Sequence, residues 1–170
     1  MIRLVDISLE HAADIQAMVT DPDILANTNL PEPYPRDGAE SFIRETIDLR
    51  QQGTRLVFSI FDEQTLVGTI GLHNINQGVA ELGYWVGKAF WGKGIGSAAI
   101  IQTVRYAFTE ARVNMLTAHC LLTNRASSHI LEKAGFHLTG VKPMPESKTP
   151  DQPNAFFELR REMWETGQGI

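Results

Sequence analysis

The spacing of apolar residues changes period several times along the chain, and each change marks an element. "MIRLVDIS" (1–8) alternates apolar and polar with a period near two, which predicts a first strand. "LEHAADIQAMVTD" then predicts a helix, with Leu9, Ala12, Ala13 and Met18 near one face. Three prolines in "NLPEPYPRDG" (29–38) deny the backbone regular donors and predict a loop. Over 39–52, Phe42, Ile43, Ile47 and Leu49 fall close to helical spacing, and Gly53 supplies a stop. "RLVFSIFD", "TLVGTIGLHNI" and "VAELGYWVG" have the composition of strands. Their separators, "EQ" and "NQG", are of hairpin length, so an antiparallel meander is predicted.

The second half begins with a helix over 94–111. Ile100, Ile101, Val104, Ala107, Phe108 and Ala111 there describe one apolar face. "NMLTAHCLL" (114–122) predicts a buried strand. "NRASSHILEKAGF" carries Ser127, Ile130, Leu131 and Ala134 on one helical face and Gly135 as a stop. Two closing strands, "FHLTGVK" and "NAFFELRREMW", are expected around a proline-rich loop at 143–153. This order predicts a mixed α/β (α+β) fold with one central sheet, in a single domain over 1–170.

Composition narrows the class without changing the elements. The chain has 170 residues, 43% hydrophobic and 21% charged, enough for one well-buried core and wrong for disorder. No apolar run approaches a bilayer span. Arg3, Asp6, Glu10 and Asp14 interrupt any leader-like core at the N-terminus. One cysteine, Cys120, fits a reducing compartment, so a cytoplasmic protein without a membrane partner is expected. A formal charge of −5 and the lack of a dense Lys/Arg patch argue against nucleic acid as a partner.

"WGKGIGS" stands out, because three glycines in five residues precede a strongly helical stretch. Glycine costs a helix about 1 kcal/mol relative to alanine. A glycine-rich entry to a helix is also where anions bind, since the unpaired amides carry partial positive charge and no Cβ blocks approach. The spacing excludes two nucleotide motifs. The Walker pattern fails because Lys93 precedes Gly94, and the dinucleotide fingerprint fails because position 97 is Ser97. A plain helix-entry turn is the simpler alternative.

"VGKAFWGKGIGSAAI" resembles the acetyl-CoA loop of the GNAT superfamily, written [QR]-x-x-G-x-[GA], and "NRASSHILEKAGF" resembles that family's later N-x-x-S…L-E-K-x-G-F segment. With "GYW" and "FFELRREMW", the resemblance is to the RimJ/RimL-like branch. Trp91 departs from the Gln or Arg of many members. The resemblance implies an acyl-CoA N-acyltransferase fold, whose mostly antiparallel, splayed sheet is flanked by helices. It implies acetyl-CoA as co-substrate and no metal. It places pyrophosphate on the amides of Trp91, Gly92, Lys93, Gly94, Ile95, Gly96 and Ser97. Trp85, Val86 and Asn124 would contact the pantetheine arm.

Amine acetylation needs a deprotonated amine, a stabilised oxyanion and a proton for the leaving thiolate. A primary amine of pKa near 10 is almost fully protonated at neutral pH, so a general base is required. The resemblance points to Glu81 for that role, with a solvent-facing strand residue as the alternative. A carboxylate of ordinary pKa is a weak base unless burial raises it. A backbone N–H at Trp85 or Val86 is expected to face the oxyanion. Asn124 occupies a helix N-cap position. Ser127 is the expected thiolate proton donor, with Tyr84 and Tyr106 as competitors; the tyrosine that other branches carry in the later helix is absent here. Cys120 is expected to be a small buried residue. His73, His119 and His137 lack a second ligand at metal spacing, although His73 lies on the strand beside that of Glu81.

The acceptor is expected to meet "NLPEPYPRDG", helix 39–52 and "KPMPESKTPDQPN". Net acidity favours a cationic amine. A protein N-terminal amine is one expectation; polyamines, amino sugars and antibiotics are the others. A non-catalytic CoA-binding module and a nucleotide-binding hydrolase are the rival classes. Monomer and homodimer are both compatible with the sequence.

Overall fold

A computed structural model of the chain describes residues 1–168. Strands β1 (Ile2–Asp6), β2 (Leu56–Asp62), β3 (Thr65–Asn76) and β4 (Val79–Val86) form an antiparallel ribbon. The β2–β3 and β3–β4 turns are as tight as their separators predict. At the second, Gln77 and Gly78 both take positive φ, which a right-twisted hairpin of this length requires. Strands β5 (Met115–Leu121), β6 (His137–Pro143) and β7 (Pro153–Arg160) complete one sheet in the order β1-β2-β3-β4-β5-β7-β6.

One junction in that sheet is parallel. Strand β5 lies beside β4 because helix α4 carries the chain back across the sheet before β5 begins, and a parallel neighbour needs such a crossover. The two strands pair only over Val79–Glu81 and Met115–Thr117. Beyond those rungs β4 stays with β3 as far as Val86, and β5 stays with β7 as far as Leu121. The sheet therefore splays into a cleft between Leu82–Val86 and Ala118–Leu121.

Helices α4 (Ile95–Thr109) and α5 (Arg125–Lys133) cover one face. Beneath them lies the main core, including Ile60, Leu72, Leu82, Ile100, Phe108 and Leu116. On the opposite face α1 (Ala12–Val19) and α3 (Gly38–Gln51) pack on the β1–β4 arm through Ile7, Ile15, Ala39, Ile43, Val57 and Leu66. Two further helices are α2 (Pro22–Ala26) and α6 (Arg161–Gln168). Among the described residues no helix is long and apolar enough to cross a membrane.

Three local expectations are corrected. The predicted helix over 9–21 opens with a 3-10 turn, Leu9–His11, and ends at Val19. Asp21 then caps a separate α2, with its carboxylate accepting the Asp23 N–H at 2.8 Å. The buried residues of α1 are Ile15 and Val19, with Ala12 and Met18 packed on the same cluster as predicted, whereas Leu9 and Ala13 are exposed. The last strand ends at Arg160 instead of running through Trp164. An Arg161–Glu165 pair one helical turn apart supports α6, and Trp164 swings back onto Phe108 at 5.4 Å between ring centroids. In α3, Ala39 and Thr46 are buried beside Ile43, and Ile47 lies on the exposed side.

Candidate active site

The cleft between β4 and β5 is bordered by the glycine loop and by the start of α5. Gly92 and Gly94 both take left-handed backbone, φ 76° and 77°, and a Cβ added to either would meet open space. Gly94 is the N-cap of α4 and offers no side-chain acceptor. The first-turn amides of Ile95, Gly96 and Ser97 find no acceptor within the described residues, and the first backbone bond runs from Ala98 N–H to Gly94 O. A 15-residue helix thus presents free amides and the positive end of its dipole beside the cleft. Gly96 has a different role. It is buried, and a Cβ there would lie 3.4 Å from the Tyr84 ring, so it seats that tyrosine.

Trp91 braces the loop. Its indole N–H donates to the Val86 carbonyl at 2.7 Å, while 45% of the residue remains exposed. Lys93 stands over the Phe90 ring at 5.7 Å. Strand parity separates Trp85 from Val86. Gly87 N–H bonds Val67 O, so alternate residues of β4 point their amides toward β3, and those between, including Val86, point theirs toward the cleft. Trp85 directs its amide to β3 and its side chain into the α1–α3 cluster. Of the two, Val86 is the residue whose N–H faces the opening.

At the start of α5, Asn124 is the N-cap, its Oδ1 accepting the Ser127 N–H at 3.2 Å. Ser127 is buried, and its Oγ lies 2.9 Å from the Tyr84 hydroxyl, so a hydrogen bond joins β4 to α5 across the cleft. Burial pushes the Tyr84 phenol up from its usual range, against a smaller opposite effect of Ser127. The phenol therefore keeps its proton at neutral pH. Tyr106, the other tyrosine considered, packs edge-on against Phe58 in the main core. Cys120 is buried with its sulfur near Ser128 Oγ.

On the opposite face, at the last paired rung, Glu81 stands beside Thr117, with His119 two residues further along β5. Glu81 Oε1 lies 3.0 Å from His119 Nε2, and Asn74 Nδ2 donates to Oε2 at 3.3 Å. The carboxylate is about a third exposed. Its pKa is lowered, first by the hydrogen bond from His119; burial, which would raise it, is outweighed. Burial thus acts in the direction a base needs, and the His119 hydrogen bond acts against it. His73 faces Glu81 across the β3–β4 ladder and lies over Gly71 and Gly83, and burial lowers its pKa.

Among the predicted residues, the fold gathers Glu81, Val86, Asn124, Ser127 and the 91–97 loop around one cleft. Two neighbours were not singled out by sequence. In sequence His119 is a lone histidine with no second ligand at metal spacing, and its partner becomes visible only in the parallel β4–β5 register. Lys148 was one charge in a long loop. Its Nζ donates to Leu25 O at 2.5 Å and Leu30 O at 2.6 Å, its N–H donates to Asn29 Oδ1 at 3.1 Å, and Glu32 lies 3.4 Å away. It thereby fastens the 143–153 loop to the 25–32 segment. Among the described residues no three His, Cys, Asp or Glu side chains gather as metal ligands.

This arrangement agrees with comparisons to known proteins. The family model "Acetyltransferase (GNAT) domain" matches residues 2–137. The "Uncharacterized N-acetyltransferase p20" of Bacillus licheniformis is 31% identical, over 78% of this chain and 77% of that protein. "Probable N-acetyltransferase YjcK" of Bacillus subtilis is 34% identical, and the match spans 64% of this chain but only 62% of that protein. Among solved structures, RimL, a ribosomal L7/L12 alpha-N-protein acetyltransferase in complex with coenzyme A, superposes with a TM-score of 0.83 at 19% identity, covering 94% of this chain and 93% of that one. Spermidine N-acetyltransferase from Vibrio cholerae, in complex with CoA and spermine, gives 0.84 at 20% identity, covering 96% and 98%. By the extent of the family match and the agreement of its splayed sheet with these folds, the chain belongs to the GNAT acetyltransferase family.

Proposed function

We propose that this chain is an acetyl-CoA-dependent N-acetyltransferase that passes the acetyl group directly to a primary amine. The observation that carries the reading is the cleft itself. Two strands part after three rungs, and the free amides of α4 lie on one side of the gap. When bound, acetyl-CoA supplies an acyl group activated as a thioester. The amides of 91–97 and the α4 dipole suit its pyrophosphate. Asn124 and the Val86 N–H border the path of its pantetheine arm, and the same Val86 N–H suits an oxyanion. The Tyr84–Ser127 pair holds a proton for the thiolate. The Glu81–His119 pair receives the one that the ammonium must lose.

The acceptor reaches the cleft from the face bearing Glu81, under the segments that Lys148 ties together. Its class is a cationic amine, with a protein N-terminal amine as first choice and a polyamine as second. Both kinds occur among the substrates named for similar folds. Cytoplasmic residence belongs to the same reading and is supported by the single free thiol.

Thermal stability measured with acetyl-CoA, CoA, ATP and NAD tests the cofactor, because a ligand that binds only the folded state raises stability by RT ln(1 + [L]/Kd). Stabilisation by acetyl-CoA and CoA alone is expected. Stabilisation by ATP or NAD alone would sink the reading. Thiol release with spermine and with peptides bearing N-terminal serine or alanine then tests the acceptor. Binding of CoA without turnover on any amine would favour the non-catalytic alternative.

A further inference from the structure

We propose that His119 Nδ1 is the atom that takes the proton from the attacking amine, and that Glu81 is the positioning residue that holds the imidazole. The proposal rests on the acetyltransferase reading and reassigns the base within it.

A carboxylate only accepts hydrogen bonds. Because Glu81 Oε1 lies 3.0 Å from His119 Nε2, that nitrogen carries the hydrogen, and the neutral ring keeps its lone pair on Nδ1. Among the described residues Nδ1 has no hydrogen-bond partner. No buried side-chain nitrogen is left without one either, so Nδ1 reaches solvent. Both Glu81 oxygens, by contrast, are engaged, one by His119 and the other by Asn74. Each of those oxygens keeps a second lone pair, but Nδ1 is the acceptor with no partner at all.

Position agrees with valence. Glu81 pairs with Thr117 on the last rung, and His119 is the next residue of β5 on that face, where the strands have already parted. The groups around it come from every neighbouring strand. His73 and Asn74 are on β3, Glu81 is on β4, and Thr117 is on β5 itself. Phe156 lies 5.7 Å from the imidazole between centroids on β7, with Glu158 further along that strand. From β6, Lys142 stands over the Phe156 ring and His137 approaches Glu158. The carboxylate in direct contact is that of Glu81. It stabilises the imidazolium that proton transfer creates, and the same hydrogen bond lowers the Glu81 pKa and makes it the poorer acceptor.

The step balances as follows. An ammonium gives one proton to Nδ1, and the freed lone pair forms the nitrogen–carbon bond while the carbon–sulfur bond breaks. The sulfur takes a proton from the Tyr84–Ser127 pair, which the second amine proton replenishes. One proton leaves to solvent from His119.

The test compares His119→Gln, which keeps an N–H for Glu81, with Glu81→Gln, using the best acceptor among spermine and the N-terminal serine and alanine peptides. For H119Q, kcat is expected to fall by roughly 10²-fold or more, and the acidic limb of kcat/KM should vanish. For E81Q the loss should be smaller, with the limb retained. Stabilisation by acetyl-CoA should be unchanged in both. His119→Ala with added imidazole guards against a folding defect, and recovery of rate by the free base is the expected result. An H119Q enzyme that keeps the limb and a near-wild-type rate, or an E81Q enzyme that alone loses the limb, would overturn the assignment. Wild-type protein that neither binds acetyl-CoA nor acetylates any acceptor would overturn the acetyltransferase reading, and this one with it.

Discussion

At the scale of single residues, the site depends on a few positions where backbone or charge is constrained. Gly94 holds φ 77° at the entrance of α4 with nothing but open space where a Cβ would stand. Gly94→Ala therefore meets no clash, only the left-handed penalty of about 1–2 kcal/mol. We expect a lower urea midpoint and weaker acetyl-CoA binding by calorimetry, because relaxation of that φ turns the free amides away. His73 gives a pH prediction. Burial lowers its pKa below the ordinary 6.5, so the folded chain refuses a proton that the unfolded chain accepts. The stability this contributes is complete above 6.5 and is lost as pH falls from there through the folded value. Melting temperatures between pH 7 and 5 should therefore fall more steeply for wild type than for His73→Gln. Glu81 has a lowered pKa as an acid, so its contribution is lost only at lower pH, below its ordinary 4.5.

At the scale of elements, local signals and distant register divide what a sequence can disclose. The meander, α4, β5 and α5 were all legible, because each announces itself through a period and a nearby stop. The closing strand was drawn too long, since "REMW" follows β7 with no glycine or proline stop, and the Arg161–Glu165 pair and the Trp164–Phe108 contact place those residues in a helix. The glycine loop and the Asn124 cap were legible because they act within a few residues of themselves. The Glu81–His119 contact was not, because its 38-residue separation closes only through the β4–β5 register. The cap offers a direct test at this scale. Asn124→Ala should cost about 1 kcal/mol in chemical denaturation. It should also reduce turnover, since α5 carries Ser127 against Tyr84.

At the scale of the whole molecule, two halves of a sheet share a three-rung junction, and Lys148 ties loops from both halves together on the side proposed for the acceptor. Lys148→Met should leave two carbonyls without their donor and cost roughly 1–3 kcal/mol. We expect a raised KM for the amine and an unchanged affinity for acetyl-CoA, a separation readable in steady-state and binding assays. The parting strands also carry a signature in time. Along β4 beyond Leu82, alternate amides lie inside the β3 ladder while those between them face the gap. Deuterium should therefore enter this one strand in a comb, fast at Tyr84 and Val86 and slow at Gly83 and Trp85, while Leu82, beside the last β4–β5 rung, is slow as well. Filling of the cleft by acetyl-CoA should slow the fast teeth alone, so that residue-resolved exchange would trace the bound arm amide by amide.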